Sequence, residues 1–517
     1  MLKDLYLVDI SHQFVHDCLR IILIFKLMEI TMGRQSADIG VMLPQGFTGS
    51  VFFRHVMEKA CLKFSGDFAE FSLPSKKAFK KDYAEAVVQF EAARASSESR
   101  SEIARFMVDL TQAQLCFRGH GFDGLMSEYM SQEVQVPPLE VIKMYGKEGL
   151  IPRVPFRGEM YSVDNLSNLC AILLKEGKMT RQAAEAVVWV SETARVNGGA
   201  ISLKGQKFVV MGAAAELAPT QLLLAAGATV LWIDVKSPDS LIKSSGSLAG
   251  ELHYCRGVGN IVQQPLEIKA AIEAFADGDA VHMGLFAYAP GASLEWRLAA
   301  TMNGIVASLK PSLVKSVSML VSPTSAAVIQ PEDLATSHDT FRGKPIWHKA
   351  LRMIGQLRQQ NSFETKGVAV SRAIVPLQGA SYQAAQYVSK ILAGESFASF
   401  GTNPKKAASQ PVKVSVNVAG ITKTNSLNHP VFQAAFLGAG KFGVEIFDPA
   451  TTRTLLNIMN LHDILNLEAG MKNGATLFGQ QVHGGVYSRA YALDPMIRVA
   501  TVIGLAQKPK LLLKLLT

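Results

Sequence analysis

The chain has 517 residues, 48% of them hydrophobic and 18% charged, with 41 Gly and 21 Pro. This excludes a disordered chain, which needs low hydrophobicity and high charge, and a collagen-like one; at roughly 150 residues per domain it calls for two to four domains. The 52 basic and 43 acidic residues leave +9, a mild excess that favours anionic ligands by long-range attraction, and no nucleic-acid partner is expected.

Residues 1–35 read as an N-terminal extension. Its apolar run, residues 21–25, is far too short to span a bilayer. The run follows Asp4, Asp9 and Asp17 with no small-residue cleavage site, so no secretory signal is expected. His12 and His16 stand four apart beside Asp17, but with no third ligand, and no metal site is expected. Five widely spaced cysteines without a CxxC pair fit a reducing compartment, and the expected location is cytoplasmic.

Residues 36–200 read as a mainly helical domain. A short strand pattern occupies residues 38–43. Phe79, Tyr83, Val87 and Phe90 recur at helical spacing, which predicts a helix over 79–94. Joints fall at residues 96–101, at 119–124 and at Pro137-Pro138, and residues 162–196 predict two further helices.

The texture changes at Gly198-Gly199. Residues 207–211 form a buried-type strand, 217–226 an apolar helix stopped by Gly227, and 229–234 a second strand, which together make a βαβ unit. Further strands are predicted over 279–283 and 317–321. The expected fold is therefore α/β: a doubly wound, Rossmann-like parallel sheet over 201–450, followed by a helical and loop extension over 451–517.

The first βα turn is the candidate nucleotide site. Gly212 takes the place of the first glycine of a dinucleotide-binding turn, followed by Ala213, Ala214, Ala215 and Leu217. Backbone N–H groups there meet a pyrophosphate. Asp234 lies 22 positions on, where an acid holds the ribose hydroxyls and repels a 2′-phosphate, so NAD is favoured over NADP. Ala215 and Ala218 replace later glycines, and Glu216 would bring its charge near the pyrophosphate. The competing account makes the unit purely structural, with Glu216 complementing the helix dipole.

From residue 204 to 425 the order of features resembles the short-chain dehydrogenase/reductase (SDR) family. Residues 279–287, with Gly284, resemble the strand beneath the nicotinamide. Asn303 lies in a segment similar to the one supplying the family's active-site asparagine. Residues 319–327 resemble the strand bearing the catalytic serine, with Ser325 in that role and Ser322 and Thr324 as alternatives. The stretch from Tyr382 to Lys390 resembles the Tyr-x-x-x-Lys helix. Lys390 falls on the lysine, Gln386 stands where the tyrosine belongs, Tyr387 is three residues before Lys390 and Tyr382 eight. A one-residue shift makes Tyr387 the base. Residues 414–424, with Gly420 and Thr422, resemble the strand and loop that close over the nicotinamide.

The resemblance implies an NAD(P)-dependent oxidoreductase interconverting an alcohol and a carbonyl of a small-molecule substrate. Its catalytic residues are Asn303, Ser325, Tyr387 and Lys390, with Lys390 also holding the cofactor, and it implies a homo-oligomer. The alternative is a catalytically inactive, SDR-like nucleotide-binding or scaffolding protein, favoured by the missing glycines and by Gln386. About sixty positions separate Ser325 from Gln386, more than in the family; this insertion, with His338, Trp347, His348 and Arg352, reads as a surface elaboration. His282 reads as a satisfied core histidine. The basic, apolar tail 508–517 could touch an anionic membrane surface, but docking on the protein itself or a dimer partner is the stronger reading.

Overall fold

The computed structural model describes residues 39–289, 293–399, 412–466, 469, 474–511 and 514. His12, His16 and half of the basic tail lie outside them. Three helices, α1 (Gly49–Lys63), α2 (Lys76–Ala95) and α3 (Arg100–Gln114), follow a short strand β1 (Gly40–Met42). The Ser75 side chain caps α2 by accepting from the Ala78 N–H, satisfying one of the helix's unpaired donors. β1 pairs antiparallel with β2 (Cys116–Gly119), which forms a hairpin with β3 (Phe122–Leu125).

Next come β4 (Glu140–Lys143), the hairpin β5 (Arg153–Phe156) and β6 (Glu159–Ser162), and helices α4 (Leu166–Lys175) and α5 (Arg181–Val196). The alternating unit follows: β7 (Lys207–Met211), α6 (Thr220–Ala225), β8 (Thr229–Ile233), β9 (Glu251–Tyr254), α7 (Pro265–Ala276), β10 (Val281–Leu285), α8 (Leu294–Ser308) and β11 (Val314–Val321). The insertion contributes α9 (Pro331–Arg342), α10 (Ile346–Met353) and the hairpin β12 (Ser362–Thr365) and β13 (Val368–Ser371). After it come α11 (Ala380–Gln386), a π-helical stretch (Tyr387–Leu392) and α12 (Ala393–Ser399). The described chain ends with β14 (Lys413–Val418), α13 (Pro430–Ala439), α14 (Pro449–Leu465) and α15 (Leu493–Gln507).

The central sheet has the order β14-β11-β10-β7-β8-β9-β4, parallel throughout except for β4, which pairs antiparallel with β9 at the edge. The protein is α/β with a doubly wound sheet, and its six parallel strands follow the Rossmann order. The sheet reaches back past Gly198-Gly199 to Glu140, because β4 returns to its edge.

Strands β7, β8 and β10 are almost continuously buried, as strands covered on both faces must be. One face packs under α4, α5, α6 and α14, the other under α1, α2, α3, α7, α8 and α11. The N-terminal helices therefore use their apolar faces on the chain's own sheet unit. Phe52 and Phe53 of α1 stack around Trp296 of α8, and Phe53 and Phe90 flank Tyr387. Aromatic pairs of this kind add about 0.5–1.5 kcal/mol each beyond the area they bury.

Expected helix 217–226 begins only at Thr220, because the chain turns through Pro219 before the helix closes. His282 is buried beside Ser316 and Gln206 within hydrogen-bonding distance, and burial drives its pKa down to about 3, so it is a neutral core histidine. Cys61, Cys116, Cys170 and Cys255 are free thiols. Among the described residues no helix is long and apolar enough to cross a membrane, and no group of three His, Cys, Asp or Glu side chains is placed to hold a metal ion.

Candidate functional site

In a sheet of this order ligands bind outside the carboxyl ends of the two central strands, where the winding reverses. Those strands are β7 and β10. Gly212 follows β7 with φ +86°, a left-handed backbone that favours glycine. A Cβ on Gly212 would lie 2.2 Å from the Ala287 backbone nitrogen. Phe286 and Ala287 both donate their N–H groups to Met211 O at 2.8 Å. The bare face of Gly212 is thus covered by the chain that leaves β10.

The N–H groups of Gly212 to Ala215 and of Ala218 have partners within the protein. Gly212 and Ala213 donate to Ile233 O, Ala215 donates to Gly212 O, and Ala218 to Ala215 O. Ala214 donates to Asp234 Oδ2 at 2.9 Å, and Asp234 Oδ1 accepts the Lys236 N–H at 2.9 Å. The acid expected at the ribose instead ties the end of β8 to the turn. Glu216 Oε2 accepts the Asn425 N–H, and Leu217 O accepts from Asn457. The N–H groups from Gly212 to Ala215, which open the turn, are thus spent on bonds within the chain.

The remaining cofactor candidates are similarly engaged. A Cβ on Gly284 would meet the Phe286 ring at 2.6 Å, and one on Gly420 would meet the Phe447 ring at 2.4 Å. Thr422 Oγ1 donates to Gly420 O and lies 2.7 Å from Thr452 Oγ1 at the start of α14.

The four expected catalytic residues fall in different surroundings. Asn303 Nδ2 donates to Ser389 O at 2.8 Å, fastening α8 to the π-helical stretch. Ser325 is fully buried and donates to Ser322 O at 2.7 Å. Lys390 is paired with Glu295 of α8 at 3.3 Å. Tyr387 faces elsewhere: its hydroxyl donates to Glu91 Oε2 at 2.6 Å, beside Arg94. Burial, reinforced by the Glu91 charge, pushes the Tyr387 hydroxyl well above its ordinary range. The structure does not join Tyr387 to Lys390 because residues 387–392 form a π-helix. Hydrogen bonds from i to i+5 widen each turn, so residues three apart no longer share a face.

Tyr382 is the tyrosine that meets the serine segment. Its hydroxyl lies among Ser322, Thr324 and Gln378, and burial pushes it up to about 12. Ser322 Oγ and Thr324 Oγ1 are 2.8 Å apart. Gln386, one turn after Tyr382, accepts the Ser322 N–H at 3.0 Å and reaches Glu295 with its amide nitrogen. The sequence did hold this signal: Tyr382 and Gln386 have Tyr-x-x-x-Lys spacing with the lysine replaced.

Glu295 is buried, accepts the Ala289 N–H and neutralises Lys390. That pairing removes the free cation which would lower a tyrosine's pKa. The insertion adds a surface cavity of about 510 Å³ lined by Lys344, Lys349, Arg352 and Arg358 with Met353 and Leu357.

No protein-family model and no curated protein matches the chain. A crystal structure described as a short-chain dehydrogenase/reductase, glucose/ribitol dehydrogenase, from Brucella melitensis is similar over 55% of this chain and 98% of its own. The identity is 14% and the TM-score 0.29. A likeness of that size carries no argument about activity.

Proposed function

We propose that this chain is a catalytically inactive, SDR-like scaffolding protein, in which a Rossmann-order sheet serves as a packing platform for its own helical N-terminal half. The observation that carries this reading is the turn after β7, where the N–H groups from Gly212 to Ala215 are bonded within the chain and Asp234 is one of their acceptors. Lys390 paired with Glu295, and Tyr387 bonded to Glu91, support it.

Titration of the purified protein with NADH and NADPH, followed by nicotinamide fluorescence, tests the reading. The expected result is no saturable binding at millimolar concentration, unchanged in Asp234→Ala. Saturable NADH binding that Asp234→Ala weakens would overturn it.

One observation favours a second reading, an NAD(P)-dependent oxidoreductase interconverting an alcohol and a carbonyl. Tyr382 stands over Ser322 and Thr324, and at a pKa near 12 it stays protonated at neutral pH. A protonated phenol can donate to a carbonyl oxygen held by Ser322 but cannot act as a base. On this reading NADH binding would be accompanied by carbonyl-dependent turnover that Tyr382→Phe abolishes.

A further inference from the structure

Residues 477–493 run through the interior with every position buried. Most polar side chains along this segment find partners. Gln481 Nε2 donates to Val328 O and Phe478 O. His483 Nε2 meets Asp333 Oδ2 at 3.0 Å while its Nδ1 accepts the Gly485 N–H. Ser488 donates to Gly177 O.

Arg489 is the charged group left short of partners. It is 2% exposed, and Nη2 makes a long bond of 3.4 Å to Arg372 O. Its Nε and Nη1 have no acceptor among the described residues, which leaves three of the guanidinium's five N–H donors unused. The Tyr487 hydroxyl is fully buried between Arg489 and Ser325, its hydrogen-bonding neighbour. The nearby carboxylate, Asp333, is already bound to His483. Burial lowers the Arg489 pKa to about 9, so it is still charged at neutral pH. A buried cation without a counter-charge is strongly destabilising, and each unmet donor adds to the penalty.

We propose that Arg489, beside the Tyr487 ring, forms an internal binding site for a small inorganic anion of halide size. The guanidinium presents unmet donors, so the complementary ligand is an acceptor, and its positive charge requires that the ligand be negative. Arg489, Tyr487 and Ser325 are all buried, which selects an ion without a tail over the carboxylate end of a larger molecule. The anion holds Tyr487 in place beside Ser325, whose Oγ in turn bonds Ser322 O, so its occupancy braces the Ser322–Ser325 turn. This proposal does not depend on whether the protein binds a nucleotide.

The test is thermal unfolding of the full chain in sodium chloride or bromide against sodium gluconate at equal ionic strength, for wild type and Arg489→Met. In wild type the unfolding constant should fall about tenfold for each tenfold rise in halide above the Kd, and Arg489→Met should lose that dependence. No halide dependence in wild type, or the same dependence in Arg489→Met, would overturn the proposal. A crystal of the wild type soaked in bromide gives an independent readout, which decides the matter if Arg489→Met does not fold. An anomalous peak within hydrogen-bonding reach of the Arg489 guanidinium is expected, and an empty site would sink the idea.

Discussion

Replacing Arg94 with Met should destabilise the protein by about 3–5 kcal/mol, the range for breaking a buried ion pair by removing one partner. Arg94 is fully buried. Its Nε and Nη2 bond the two oxygens of Glu91 at 2.7 and 2.9 Å, and its Nη1 bonds Glu395 Oε2 at 3.0 Å and Arg100 O at 2.9 Å. Arg100 and Ser101 complete the set around Glu395, and Tyr387 completes it around Glu91. The cluster joins α2 and α3 to α12. Losing the central cation leaves two carboxylates in the interior with Arg100 as the charged partner of one of them.

The pH dependence has a defined sign. Burial pushes the Glu395 carboxyl up, but Arg94, Arg100 and Ser101 outweigh burial and hold it at about 2. A carboxyl depressed in the folded state contributes stability that is present above its unfolded pKa and is lost as pH falls toward the folded one. Wild-type stability should therefore decline between about pH 5 and pH 2, and Arg94→Met should lose less across that window because it starts without the contribution. Urea unfolding at pH 7 and at pH 4 measures both effects; a loss below 1 kcal/mol at pH 7 would refute the account of the cluster.

Gly212→Ala should cost roughly 2–5 kcal/mol, combining left-handed strain with overpacking. The added Cβ would lie 2.2 Å from Ala287 N and 2.3 Å from Ala287 Cα. Relief requires moving a strand end whose N–H is bonded to Met211 O. Gly443→Ala is the control: its φ is +77° with no atom near the added Cβ, so backbone strain alone applies, about 1–2 kcal/mol. Equal losses in the two variants would show that Ala287 does not cover Gly212.

The sheet was legible where the sequence is locally redundant. Residues 208–211 and 230–233 are unbroken apolar runs separated by a small-residue turn and Gly227, and parallel strands buried on both faces must look that way. β4 was not legible. Only four residues long, it pairs with β9 more than a hundred positions later, and no local pattern encodes a partner that distant.

At the candidate site the spacing from Gly212 to Asp234 was readable, but the use of that carboxylate by the Ala214 N–H was not. Tyr387 was misplaced for two physical reasons. Arithmetic on helix faces assumes an α-helix, and residues 387–392 are π-helical; its acid partner, Glu91, lies 296 positions away in the helical half. Tyr382, eight residues before Lys390, is the tyrosine that reaches the serine segment, and Gln386 one turn on is bonded to the same Ser322.

The central claim is that the turn after β7 is satisfied by the protein itself, and amide hydrogen exchange at Ala213, Ala214 and Ala215 with and without millimolar NADH tests it most directly. The account predicts that these amides are protected in the free protein and exchange at the same rate when NADH is added. Amides that exchange freely and become protected on adding NADH would contradict it and restore a working nucleotide site.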